Sequence, residues 1–206
     1  MTDSHRITTV EQLRSLIGEP HPLVVHKLWP TLEPAAMEFI QRSPFLLLAT
    51  ADAAGQQDVS PKGDGPGFVA IENDTTLLIP DRKGNKLVFG LQNILANPHV
   101  GLLFMIPGTD ETFRVNGTAE LTCDPAILQR LSARGQPAVL AIRVTVQECF
   151  FHCAKAFIRS QLWHPEAWQP RVPISFGKLF APKMGGGEEM ARQIDQAVEQ
   201  DYQTNL

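Results

Sequence analysis

A chain of 206 residues, 43% hydrophobic and 19% charged, is long enough to bury a full core, and one domain is the default expectation. Its formal net charge of −4 argues against the broad basic face that general nucleic-acid binding needs, while leaving room for a small local basic pocket. Three cysteines are too sparse for a disulfide scaffold, the start "MTDSHRITTVEQLRS" is polar, and "VGLLFMI" is too short to cross a membrane. The expected setting is therefore the cytoplasm, with neither nucleic acid nor membrane as a partner.

In chain order, "TTVEQLRSLIG" predicts a short helix with Thr8 and Glu11 at capping-box spacing and Gly18 as its stop. "HPLVVHKLWP" reads as a proline-bounded connection, and "TLEPAAMEFIQRSP" as a second helix with Met37, Phe39 and Ile40 available for burial. From Phe45 the period changes. "FLLLAT", "QDVSP", "GFVAI" and "TLLIP" read as strands, with Asn73 and Asp74 suited to a tight turn between the last two. "NKLVFGLQNILANP" returns to helical spacing, placing Val88, Leu91, Ile94 and Leu95 on one side. "HVGLLFMIPG" and "TFRVNGTAELT" form a hairpin across "PGTDE". "DPAILQRLSARG" is a helix marked by Asp124, Pro125 and Gly135, and "AVLAIRVTVQECFF" is a long strand of period two. A glycine-hinged terminal helix closes the chain. Around six strands without steady strand–helix alternation predict a mainly antiparallel, mainly β barrel with short peripheral helices. The expected organisation is a helical segment over 1–43, a barrel core over 44–163 and a C-terminal extension over 164–206.

Three constellations point to chemistry. In "LLIPDRKGN", a strand ends at a loop carrying Arg82 and Lys83, and Asn85 is placed to cap the helix that follows. Unpaired amides at a helix start favour an anion, and an arginine grips phosphate through two hydrogen bonds. A solvated turn has the same composition, so this loop alone leaves both readings open. In "DVSPKGDGPGF", Ser60 and Lys62 should share one face of a strand end, and the Gly and Pro residues allow close approach of a flat ligand. A lysine beside a heterocycle stabilises negative charge that develops on it; the alternative is a glycine-rich hairpin with an exposed lysine. In "CFFHCAKAFIRSQLW", a helix would align Lys155, Arg159 and Trp163, with His152 nearby and Phe150, Phe151, Phe157 and Ile158 toward the core. An amphipathic surface helix would look much the same. No second ligand pair accompanies "CFFHC", so no metal is expected and Cys149 and Cys153 read as small buried residues.

Together, "DVSPKGDGPGFV", "LLIPDRKGN", "NILANPHVGLLFMIPG", "FRVNGTAEL" and "FHCAKAFIRSQLW" resemble the FMN-dependent flavoproteins related to pyridoxamine 5′-phosphate oxidase, over roughly Thr31 to Trp163. The resemblance implies an FMN-binding split β-barrel and a homodimer with FMN at the interface. It places the backbone of Val59 and Ser60 and the Lys62 side chain along the isoalloxazine ring, and the phosphate on Arg82, Lys83 and Asn85. Thr112 or Arg114 would line the ring or ribityl chain, while Arg159, Ser160 and Trp163 would come from the partner subunit. One departure stands out. Relatives tend to read Pro-Gly-Asn-Asn-Arg after the arginine, whereas this chain has Lys83, Gly84, Asn85, Lys86 and Leu87. The second arginine is missing, and a lysine brings a point charge where arginine brings a planar fork. The loss is expected to weaken FMN binding by about one to a few kcal/mol.

The implied function is an FMN-dependent oxidoreductase acting with a small-molecule electron donor or acceptor. No acid–base residue is singled out. The ending "EQDYQTNL" lacks the Arg-x-His-type signature of enzymes that oxidise vitamin B6 phosphates, so that substrate is not expected. Alternatives of another class are a flavin-binding sensor without turnover, a split barrel that holds deazaflavin or haem, and a barrel that has lost its cofactor.

Overall fold

The computed structural model describes residues 5–205. Met1 to Ser4 of the polar start and the final Leu206 lie outside the described residues, as does the side chain of Val25. Helix α1 (Val10–Ile17) is where the sequence puts it, although the capping box is formed by Thr9 and Gln12 rather than by Thr8 and Glu11. Gly18 ends it with φ +82, a conformation that costs glycine nothing. The proline-bounded connection contains a 3-10 turn (Pro22–Lys27), and α2 (Pro34–Arg42) buries Ala36 and Ile40.

Seven strands follow: β1 (Phe45–Ala51), β2 (Gln57–Gly63), β3 (Ala70–Asn73), β4 (Thr76–Asp81), β5 (His99–Met105), β6 (Thr112–Thr122) and β7 (Leu140–His152). They form one sheet in the order β2-β1-β5-β6-β7-β4-β3, antiparallel at every pairing. Alternation along β1, β5 and β6 drives one face inward. In one cross-strand row Lys62, Leu46, Phe104, Phe113 and Phe151 are successive partners; in the next come Ser60, Leu48, Leu102, Val115 and Cys149. Leu46, Leu48, Leu102, Phe104, Phe113 and Val115 are essentially inaccessible and join Ile40, Leu77, Ile79 and Ile142 in the main core.

The sheet curls on itself. Strands β2 and β4 would stand roughly 24 Å apart in a flat sheet at about 4.8 Å per strand, yet Lys62 Nζ donates to Asp81 Oδ1 across them at 2.6 Å. No backbone ladder joins β2 to β4, so the barrel closes through side chains along an open seam. The fold is mainly β and of the split-barrel type, with helices at its periphery. Helix α3 (Phe89–Ala96) covers β1 and β2, while α4 (Pro125–Arg130) packs with Leu131 and Ala138 on the outer side of β4 and β7, against Leu78 and Ala141. Helix α5 (Lys155–Ser160) follows β7, and α6 (Phe176–Phe180) packs against the terminal α7 (Glu188–Thr204).

Some expectations are corrected. Gly67 to Val69 of "GFVAI" precede β3 rather than belonging to it. In α3 only Leu91 and Ile94 are buried; Val88 and Leu95 are exposed, because one side alone of this short helix meets the sheet. Cys149 is buried, whereas Cys153, beyond the end of β7, is exposed. No described helix is long and apolar enough to cross a membrane.

Candidate functional site

A groove of about 940 Å³ opens at the seam, within the range of small-molecule sites. One wall is the inner-face edge of β2, with Asp58, Ser60 and Lys62; the other is the end of β4 and the loop after it, with Asp81, Arg82, Lys83, Asn85 and Lys86. The start of α3 covers one side, and Asp201 and Asn205, at the end of α7, also line the groove. Five predicted residues thus meet in one concavity: Ser60, Lys62, Arg82, Lys83 and Asn85. They do so for a simple reason. Ser60 and Lys62 alternate with Val59 and Pro61 on an edge strand, and the chain leaves β4 on the opposite lip of the same seam.

The charges here are paired. Besides the Lys62–Asp81 bond, Arg82 Nε donates to Asp64 Oδ2 at 3.1 Å, and Arg134 Nη1 donates to Asp64 Oδ1 at 2.8 Å. Lys62 and Asp81 are 21% and 17% exposed at their side chains, and Asp64 only 7%. Lys62 is therefore half of an ion pair at the groove wall. Lys83 and Lys86 are exposed on the loop.

Asn85 does not cap α3. Its Oδ1 accepts from the Leu87 amide at 3.0 Å, closing a local turn, and the helix begins four residues later, at Phe89. Lys86 and Val88 both take positive φ in between, so the loop must turn sharply before the helix starts. The basic lip is thus a turn beside the groove, and the expected helix-start anion seat at Asn85 is not formed.

The remaining predicted residues lie elsewhere in this chain. Val59 faces outward and is 57% exposed. Thr112 is buried, and Arg114 stacks on Phe150 with its guanidinium carbon 4.2 Å from the ring centroid; neither lines the groove. Lys27 approaches the same ring at 4.3 Å. Burial, followed by the charges of Arg114 and Lys27, pushes the neighbouring His152 below its ordinary pKa, so it is neutral at physiological pH. The Lys155–Arg159–Trp163 stripe is broken. His152 ends β7, α5 has six residues, and Gln161 turns left-handed, so Trp163 folds back to stack on Phe157 at 5.6 Å and to donate to the Thr109 carbonyl. Arg159, Ser160 and Ile158 are left exposed. Asp58, Asp64, Asp81 and Arg134 were not picked out from sequence. The only local hint was one aspartate in the Gly/Pro-rich "KGDGPG", without its partners.

Residues 32–153 match the model of the pyridoxamine 5′-phosphate oxidase family, and the chain belongs to that family. The match takes in β1 to β7 and both lips of the groove, and stops short of α5 to α7. Among solved structures, HupZ of Group A Streptococcus is similar at 20% identity, over 58% of this chain and 92% of that one, with a TM-score of 0.48. A putative pyridoxamine 5′-phosphate oxidase of Lactobacillus delbrueckii is similar at 22% identity, over 59% and 95%, with a TM-score of 0.46. An FMN-binding protein of Syntrophomonas wolfei is similar at 11% identity, over 70% and 97%, with a TM-score of 0.44. No curated protein matches the chain.

Proposed function

We propose that the protein is an FMN-dependent oxidoreductase whose cofactor occupies the seam groove. The observation that carries this reading is the convergence of two distant segments, Ser60 and Lys62 on β2 and Arg82, Lys83 and Asn85 after β4, on one concavity in a chain of this family. The residues fit the group. A basic loop suits the phosphate, and a strand edge bearing alternating Ser60 and Lys62 suits a flat ring.

Arg82, with Lys83 and the Asn85 turn, holds the phosphate. Lys62 and the backbone of Val59 and Ser60 flank the ring, and the Lys62–Asp81 pair presents it with a fixed dipole. When bound, the flavin supplies the transfer of a hydride or electrons; this chain supplies binding, orientation and shielding from water. Leu87, Val88, Phe89 and Val139 rim the groove at 54%, 44%, 57% and 54% exposure, an apolar margin that supports a second copy of the chain as its cover. In that homodimer Arg159, Ser160 and Trp163 of α5 and its following turn reach the partner's groove, and Thr112 and Arg114 lie beneath the interface. The substrate is a small-molecule electron donor or acceptor.

The test is the visible spectrum of the purified protein after FMN is added and unbound ligand removed by gel filtration. Retained twin flavin bands are expected, with FMN Kd raised by roughly 10- to 150-fold in Arg82→Ala, the equivalent of a charged hydrogen bond. A protein that stays colourless and retains no FMN overturns the reading.

A further inference from the structure

Asp64 lies just beyond β2 and is more deeply covered than any of its charged partners, with 7% of its side chain exposed. Its Oδ1 accepts from the Gly65 amide at 2.9 Å and from Arg134 at 2.8 Å, and its Oδ2 accepts from Arg82 Nε at 3.1 Å. Burial works to raise its pKa, but the Gly65 amide, Arg134 and Arg82 outweigh it and hold the carboxyl below its ordinary value of 3.8. The carboxylate is charged at neutral pH and bonded on both oxygens.

Arg82 commits only Nε to this carboxylate and has no other hydrogen-bond partner among the described residues, while its side chain lines the groove. The far end of the arrangement is Arg134, 70 positions from Asp64 along the chain. It sits in a two-residue turn in which Ala133 and Gln136 exchange both backbone hydrogen bonds at 2.9 Å. Arg134 (φ 49) and Gly135 (φ 75) are both left-handed, a conformation unusual for arginine. A turn of this kind is normally built from Asn and Gly, so the arginine is there at some conformational cost.

We propose that Asp64 and Arg134 are positioning residues for Arg82. Arg134 binds one carboxylate oxygen, so Asp64 meets Arg82 through the other oxygen at Nε alone. The terminal nitrogens of Arg82 then stay directed at a phosphate monoester in the groove. Without Arg134, Asp64 is free to take Arg82 as a fork-to-fork pair and withdraw those nitrogens. This inference rests on the reading of the groove as an FMN site.

The test is titration of the full-length protein with FMN and with riboflavin, which lacks the phosphate, followed by flavin fluorescence, in wild type, Arg134→Gln, Arg134→Lys, Arg82→Ala and the Arg82→Ala/Arg134→Gln double variant. Arg134→Gln is expected to weaken FMN on the order of tenfold, the scale of one charge-assisted hydrogen bond, and to leave riboflavin unchanged. It should add nothing in the Arg82→Ala background. Arg134→Lys, which keeps the charge without the fork, should weaken FMN by about threefold and serves if Arg134→Gln does not fold. Equal loss of both flavins with a lowered Tm would make Arg134 merely structural and overturn the proposal. So would an unchanged FMN Kd in Arg134→Gln while Arg82→Ala still weakens FMN, or additive losses in the double variant; these leave the FMN reading standing. Failure of the wild type to bind FMN overturns both.

Discussion

The seam of the barrel should lose stability measurably when its central ion pair is cut. Replacing Lys62 by Met keeps the apolar stem but leaves Asp81, with its side chain 17% exposed, facing the groove without its cation. A charged hydrogen bond contributes about 1.5–3 kcal/mol when covered and a fully exposed pair about 0.2–1 kcal/mol. At 2.6 Å, with both partners about four-fifths covered, the pair falls between these limits. The expected cost is about 1–2 kcal/mol, equivalent to a fall in Tm of roughly 2–8 °C for a chain of this size. Urea denaturation of wild type, Lys62→Met, Asp81→Asn and the double variant, read as midpoints at constant slope, gives the coupling directly. The double variant should recover about 1 kcal/mol relative to the sum of the single losses. Losses that add to within about 0.3 kcal/mol would refute the idea that this pair closes the seam. Glu38→Gln breaks the Glu38–Arg42 pair on the exposed side of α2 and should be close to silent, which controls for any general effect of charge.

Thiol labelling at pH 8 should modify Cys123 and Cys153 quickly in the native protein and spare Cys149, whose buried thiol is pushed up to about 11 chiefly by desolvation; in urea all three should react. Fast labelling of three thiols in the folded protein would contradict the packing of Cys149 against the core. Gly117→Ala should cost about 2 kcal/mol or more by urea denaturation, because a Cβ there would run into the Thr145 carbonyl at the bulge where β6 shifts register on β7. Gly84→Ala, in open space on the basic loop, should leave the midpoint unchanged.

The strands were legible because alternation is local. In "TFRVNGTAEL" every second side chain must leave water, and the burial of β6 follows that period, while "FLLLAT" is legible as a buried strand from its unbroken apolar run. The same holds for Ser60 and Lys62, whose shared face follows from strand parity alone. The capping of α4 by Asp124 was legible for a similar reason, since a carboxylate two and three residues from free amides finds them without help from the rest of the fold. Where the sequence misled, a local pattern was overruled by a distant partner. "AKAFIRSQLW" has helical spacing throughout, but the indole of Trp163 gains the Phe157 face and the Thr109 carbonyl by leaving the helix at Gln161. Asn85 has the chemistry of a helix cap, yet a turn through Lys86 and Val88 intervenes before α3.

By itself the sequence determined the strand order along the chain, the family, and the two segments that carry the basic and the Ser60–Lys62 faces of the groove. Those follow from periodicity and short motifs, which act over a few residues. Tertiary structure alone decided how the charges are spent: that Lys62 meets Asp81, and that Asp64, just beyond β2, gathers both Arg82 and Arg134 across the seam. A carboxylate that is cut off from water takes whichever cations the closed barrel brings within reach, and no local pattern encodes which ones those are.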